Sequence, residues 1–244
     1  MNGIDYFDRG WLLNPTGPCM IHAGTGAVFT YNQVREKTHR VASALHSRGF
    51  GVGAKAAVFS YNDPIGFSVV LSLLRAGTTW IPINPRNSVP DNAAILGAFD
   101  CDVLFFSSSF AESIPAIAQV AQHVRAFVCI DERLKGYEFL DDWENSSHDQ
   151  EFDTTHDPER VLAIQPTGGT TGVPKGVMMP NRGLENIVSC LMAVAPCVER
   201  PVYLAAAPLT HAGGWIFHYV MAQGGTGIVF PKVDRKYPSP NPHC

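Results

Sequence analysis

Four short apolar runs recur between residues 56 and 130, over 56–60, 79–83, 102–106 and 126–130, and a helical pattern separates each from the next. The helical patterns fall at 65–74, stopped by Gly77, at 91–99 and at 112–124. Runs this short, bounded by turn residues, suit buried strands, and strands alternating with helices are the rhythm of a parallel, doubly wound α/β sheet. The spacing is near-regular, but no sequence repeat underlies it.

The flanks extend this pattern. Residues 17–30 carry turn signals around Gly24-Thr25-Gly26 and predict a hairpin. Thr30 and Gln33 form a capping box that opens a helix with Val34, Val41, Ala42 and Leu45 on one face, ending at Gly49. After residue 160 come strands at 161–164 and 177–179, a helix over 184–195, a strand over 202–209, and a turn and strand over 224–230. The expected fold class is α/β, with two doubly wound, mostly parallel subdomains at 1–137 and 160–235, the second incomplete. Between them, residues 138–159 hold Glu138, Asp141, Asp142, Glu144, Asp149, Glu151, Asp153, Asp157 and Glu159 with no Lys or Arg, and read as an acidic, solvated linker. Residues 236–244 turn proline-rich and read as a tail outside the second subdomain.

Composition narrows the function classes. A net charge of −4 lacks the electrostatic footprint of a nucleic-acid binder. The six cysteines, at 19, 101, 129, 190, 197 and 244, form no C-x-x-C pair and suggest reduced thiols in a cytoplasmic protein. The N-terminus has no apolar core of the kind a signal peptide needs. The longest apolar run, 187–198, is too short to span a bilayer and is broken by Pro196. The pattern leaves oligomeric state open.

One stretch is built for something other than a core: Gln165-Pro166-Thr167-Gly168-Gly169-Thr170-Thr171-Gly172-Val173-Pro174-Lys175-Gly176. Glycines let successive N–H groups turn toward one point, and such a nest of amides binds phosphate. Threonine hydroxyls add donors, and a lysine adds a point charge. The common G-x-x-x-x-G-K-[ST] phosphate loop does not fit, because Pro174 and Gly176 occupy its second glycine and its hydroxyl position. A strand rather than a helix follows. On residue types alone, a glycine-rich hairpin joining two strands is an alternative. Gly24-Thr25-Gly26 is a poor dinucleotide fingerprint, and Gly66-Phe67-Ser68-Val69-Val70 lacks the last glycine of a nucleophile elbow.

The string from Thr167 to Gly176 resembles the signature loop of the adenylate-forming (AMP-binding) enzymes, of the acyl-CoA synthetase or fatty-acid–CoA ligase type. The resemblance covers about residues 10–235. It implies that Thr167, Gly168, Gly169, Thr170, Thr171, Gly172 and Lys175 bind the phosphates of ATP, with Thr170 and Lys175 assisting phosphate stabilisation and Mg²⁺ held on the phosphates. It also implies that the segment carrying His211, Gly213 and Trp215 lines the acyl and adenylate pocket, with His211 beside the adenylate and His218 packing the pocket wall. The implied reaction activates a fatty or other apolar carboxylic acid as an acyl-adenylate and passes it to CoA. Asn181 departs from the pattern, standing where many relatives have histidine. The later family motifs that would complete catalysis do not occur in these residues, so an N-terminal portion, inactive by itself, is the expectation. The alternatives are a non-catalytic ATP-binding or interaction module, and the unstable product of a broken gene.

Overall fold

A computed structural model describes residues 1–146, 152, 155–167 and 174–231. In chain order these residues form α1 (Asp5–Leu13), β1 (Pro18–His22), β2 (Val28–Thr30), α2 (Tyr31–Ser47), β3 (Lys55–Phe59), α3 (Pro64–Ala76) and β4 (Thr79–Trp80). There follow α4 (Val89–Ala98), β5 (Val103–Phe106), α5 (Ile114–Val120), β6 (Ala126–Cys129), β7 (Glu138–Phe139) and α6 (Leu140–Asn145). The last elements are β8 (Val161–Thr167), β9 (Lys175–Pro180), α7 (Asn181–Val194), β10 (Val202–Ala205), α8 (Ala212–Met221) and β11 (Thr226–Val229).

The larger sheet has the order β7-β6-β5-β3-β4-β8-β9, parallel throughout except for the antiparallel β8–β9 pair. Strand alternation fills both of its faces. On β3 and β5, Ala56, Val58, Val103 and Phe105 enter one core, while Ala57, Phe59, Leu104 and Phe106 enter the other. Helices α2 and α3 contribute to the first core and α4 and α5 to the second, which is the doubly wound arrangement the spacing predicts. Each large side chain buried this way contributes about 1.5–3 kcal/mol.

Local chemistry sets the helix starts. Thr30 Oγ1 accepts from Gln33 N at 3.3 Å and Gln33 Oε1 accepts from Thr30 N at 2.8 Å, so the expected capping box opens α2. Asp63 Oδ1 accepts from the N–H groups of Ile65 and Gly66, Pro64 follows it, and Gly77 closes α3 in the left-handed region at φ 72°. In α4, Ser88 Oγ accepts from Asp91 N at 3.2 Å.

The two sheets do not divide the chain at residues 138–159. The smaller sheet, in order β10-β11-β1-β2, takes its hairpin from the first thirty residues and its other two strands from the last part of the chain. Conversely β8 and β9 complete the larger sheet. Each sheet therefore draws on both expected subdomains, because β1 pairs antiparallel with its neighbour β2 on one side and in parallel with the distant β11 on the other (Met20 opposite Gly227). Part of the acidic stretch is also ordered structure. Helix α6 buries its Leu140 and Trp143, and Glu144 pairs with Lys37 and Arg40 of α2. Residues 147–151 and 153–154, and the tail 236–244, lie outside the described residues.

Smaller differences have local causes. The strand expected over 79–83 ends at Trp80, since Pro82 has no N–H to continue a ladder. The helix expected over 112–124 divides into a 3₁₀ turn, Ser108–Ser113, and α5, with Pro115 in its first turn. The strand expected over 202–209 stops at Ala205, ahead of Pro208. Helix α1 is additional. It ties to the rest through Arg75 of α3, which donates to Asp8 and, at 3.0 Å, to Thr38 of α2. Among the described residues no helix is long and apolar enough to cross a membrane. Cys19, Cys101, Cys129, Cys190 and Cys197 are all free thiols.

Candidate functional site

The glycine- and threonine-rich stretch joins the two strands of an antiparallel hairpin. Pro166 lies opposite Gly176 and Thr167 opposite Lys175, and Thr167 Oγ1 donates to the Lys175 carbonyl at 3.2 Å. Residues Gly168, Gly169, Thr170, Thr171 and Gly172 lie outside the described residues. What is described is the mouth of the loop. Gly176 has a packing role there: a Cβ would come within 2.5 Å of Ile164 Cγ2 and 2.8 Å of the Phe99 ring. Lys175 is exposed, and among the described residues no carboxylate pairs with it. Cross-strand partners share a face of a sheet, so Lys175 and Thr167 lie on the same side of the hairpin.

Against this mouth lies a cavity of about 440 Å³, within the range of small-molecule sites. Three segments wall it. Pro166, Thr167 and Pro174 come from the hairpin, His211 from the turn before α8, and Asn84 and Asn87 from the connection between β4 and α4, with Asp91 in the first turn of α4. The cavity sits at the carboxyl ends of β4 and β8, where open α/β sheets place their ligands. The β4–α4 connection is the part that motif reasoning passes over. Its signal is Pro82-Ile83-Asn84-Pro85-Arg86-Asn87, a proline- and asparagine-rich turn directly after a parallel strand. Asn92, fully buried, holds that turn by donating to the Asn84 carbonyl at 2.9 Å.

His211 is delivered by a turn that Asn62 braces. Asn62 Nδ2 donates to the carbonyls of Ala205 and Ala207 at 3.0 and 2.9 Å, and its Oδ1 accepts from Leu209 N at 2.7 Å. Asn62 belongs to the β3–α3 connection, so the larger sheet positions a turn that leaves the smaller one. Thr210 Oγ1 donates to the Ile83 carbonyl at 3.3 Å and adds a second tie. Burial pushes the His211 imidazole below its ordinary pKa, favouring the neutral ring.

Of the other pocket residues expected from sequence, Gly213 and Trp215 do not line this cavity. A Cβ on Gly213 would stand 2.9 Å from the carbonyl oxygens of Ala207 and Pro208, so glycine there lets the turn close. Trp215 is 8% exposed, with its ring 5.0 Å from that of Trp80. It reaches His211 indirectly: its Nε1 donates to Gln165 Oε1 at 3.4 Å, and Gln165 Nε2 lies 2.8 Å from His211 Nε2. His218 is fully buried and does not line the cavity, with Nδ1 2.8 Å from the Gly214 carbonyl. Asn181, the departure from the family pattern, is a buried tie: it accepts from Gly3 N at 3.0 Å and donates to the Asp157 carbonyl at 2.8 Å.

The doubly wound sheet, with a cavity at the carboxyl ends of its strands, defines an α/β protein of the open-sheet class. The chain belongs to the AMP-binding enzyme family, whose model matches residues 8–242. It is 28% identical over 237 residues to a long-chain-fatty-acid–CoA ligase of Thermus thermophilus, covering 95% of this chain and 43% of that protein. With 4-coumarate–CoA ligase 1 of rice (Oryza sativa) it shares 31% identity over 181 residues, covering 70% of this chain and 32% of the relative. A solved long-chain-fatty-acid-CoA ligase from Archaeoglobus fulgidus superposes with a TM-score of 0.85 at 20% identity, covering 96% of this chain and 48% of that one. The chain thus spans less than half the length of the curated relatives it matches.

Proposed function

We propose that this chain carries the ATP-phosphate loop and part of the acid pocket of a ligase that activates a carboxylic acid as its adenylate and transfers the acyl group to CoA. The observation that carries the reading is that the mouth of the Thr167–Lys175 loop and His211 wall one cavity. In that reaction the carboxylate attacks the α-phosphorus of ATP and expels pyrophosphate. Negative charge builds on the leaving phosphates, where donors already in place stabilise it. Residues 167–172 and Lys175 would supply those donors, with Mg²⁺ arriving on the ATP phosphates. The names of the relatives, long-chain-fatty-acid–CoA ligase among them, support a fatty or other apolar acid as substrate.

The test is ATP binding by the chain, followed by calorimetry or by shifts of backbone amide resonances. Lys175→Ala removes a charged donor worth about 1.5–3 kcal/mol, so affinity should fall by about 10- to 100-fold. ATP binding that is indifferent to Lys175, or absent from the wild-type chain, would overturn the assignment. Binding without any acid-dependent pyrophosphate exchange in a version extended to its relatives' length would favour a non-catalytic ATP-binding module instead.

A further inference from the structure

We propose that Gln165 is a positioning residue that holds His211 as the tautomer protonated on Nδ1, and that this N–H serves the ligand; the second half rests on the acid-activation reading of the cavity. Three side chains form a chain of hydrogen bonds whose direction is set at one end. The Trp215 indole can only donate, and it donates to Gln165 Oε1 at 3.4 Å. That turns the amide NH₂ of Gln165 toward His211, 2.8 Å from Nε2. An NH₂ also only donates, so Nε2 of His211 must present its lone pair. The single proton of the neutral ring then sits on Nδ1. No described protein group accepts from Nδ1, and His211 lines the cavity.

The consequence is chemical. A neutral imidazole with its lone pair already engaged is a donor and not a base. It can offer a proton in a hydrogen bond to a carboxylate or phosphate oxygen, and it has no free nitrogen with which to remove one. That suits a carboxylic acid, which is already ionised near neutrality and needs no base. Gln165 sits on β8 two residues before Thr167, so one short strand segment would set both the phosphate loop and the orientation of the histidine.

Long-range ¹H–¹⁵N spectra of the histidine rings read the tautomer directly in the 244-residue chain. In the wild-type protein His211 should show an unprotonated Nε2 and a protonated Nδ1. Gln165→Met removes the donor at similar volume, and the Nε2–H form should then appear. Gln165→Glu replaces the donor by an acceptor and should place the proton on Nε2. His218, whose Nδ1 faces the Gly214 carbonyl, is an internal control and should keep Nδ1–H in each variant. A wild-type His211 protonated on Nε2 would overturn the proposal whether or not the variants fold, as would a folded Gln165→Met that leaves the His211 signals unchanged. ATP with decanoate, added to the wild-type chain, separates the two readings. Shifted His211 signals support both, whereas unmoved signals with the expected tautomers sink the acid-activation reading and the ligand role while leaving the positioning by Gln165 intact.

Discussion

At the scale of single residues, burial decides which titratable groups matter to stability. His218 is buried against Phe67 and Trp215, with one ring nitrogen bonded to Gly214 and Nε2 without a partner among the described residues. Burial lowers its pKa from 6.5 to about 4. Above pH 6.5 the ring is neutral folded or unfolded, and its contribution to stability is fully present. Between pH 6.5 and 4 only the unfolded chain takes up the proton, so stability should fall by about 1.4 kcal/mol per pH unit, about 3 kcal/mol in all. Urea titrations at pH 7 and pH 4.5 check this, with His218→Asn as the comparison. An equal pH slope in the two proteins would remove His218 as the cause. Neighbours in sequence point to His211, but the role of Gln165 beside it is not legible there. Its role depends on a histidine 46 residues away and an indole 50 residues away, and no local pattern records such partners.

At the scale of elements, legibility followed how locally each element is encoded. Strands β3, β5 and β6 read clearly because they are runs of apolar residues between turn signals, and α2 and α3 because their caps are written beside them. At the end of α3 opposite its Gly77 stop, the structure adds the cap Asp63. Asp63→Ala removes the acceptor of two N–H groups at the start of α3 and should cost about 1–2 kcal/mol, read as a lower urea midpoint with an unchanged slope. A shift within error would show that solvent satisfies those groups equally well. Helix α1 escaped notice because Gly10 interrupts its middle. The glycine is there for tertiary reasons, since a Cβ would meet the Met221 carbonyl at 2.0 Å where α1 crosses α8. Likewise α6 lay hidden in an acidic segment, and the cores buried by Leu140 and Trp143 come from elsewhere in the chain.

For the whole molecule, the two sheets interlock. β1 pairs with β11 across two hundred residues of sequence, Tyr31 donates to the Gly225 carbonyl at 2.7 Å, and Asn62 joins the end of the larger sheet to the turn leaving β10. Such cross-ties predict one cooperative unfolding transition in place of two. Asn62→Ala would leave two carbonyls and an N–H without their partner, and should cost about 2–3 kcal/mol. Thermal unfolding followed by circular dichroism and by tryptophan fluorescence should give coincident curves in wild type and variant, the variant melting lower. Separate midpoints for the two probes would mean that the sheets unfold independently.

The sequence by itself determined the α/β class, the capping box of α2 and the Gly77 stop of α3, because propensity and capping act between near neighbours. Only the tertiary structure decided how the strands are shared between the sheets, that the β4–α4 turn walls the cavity, and that Gln165 stands between Trp215 and His211. Those outcomes depend on burial and hydrogen-bond satisfaction between groups far apart along the chain, and such pairings exist only once the chain has closed on itself.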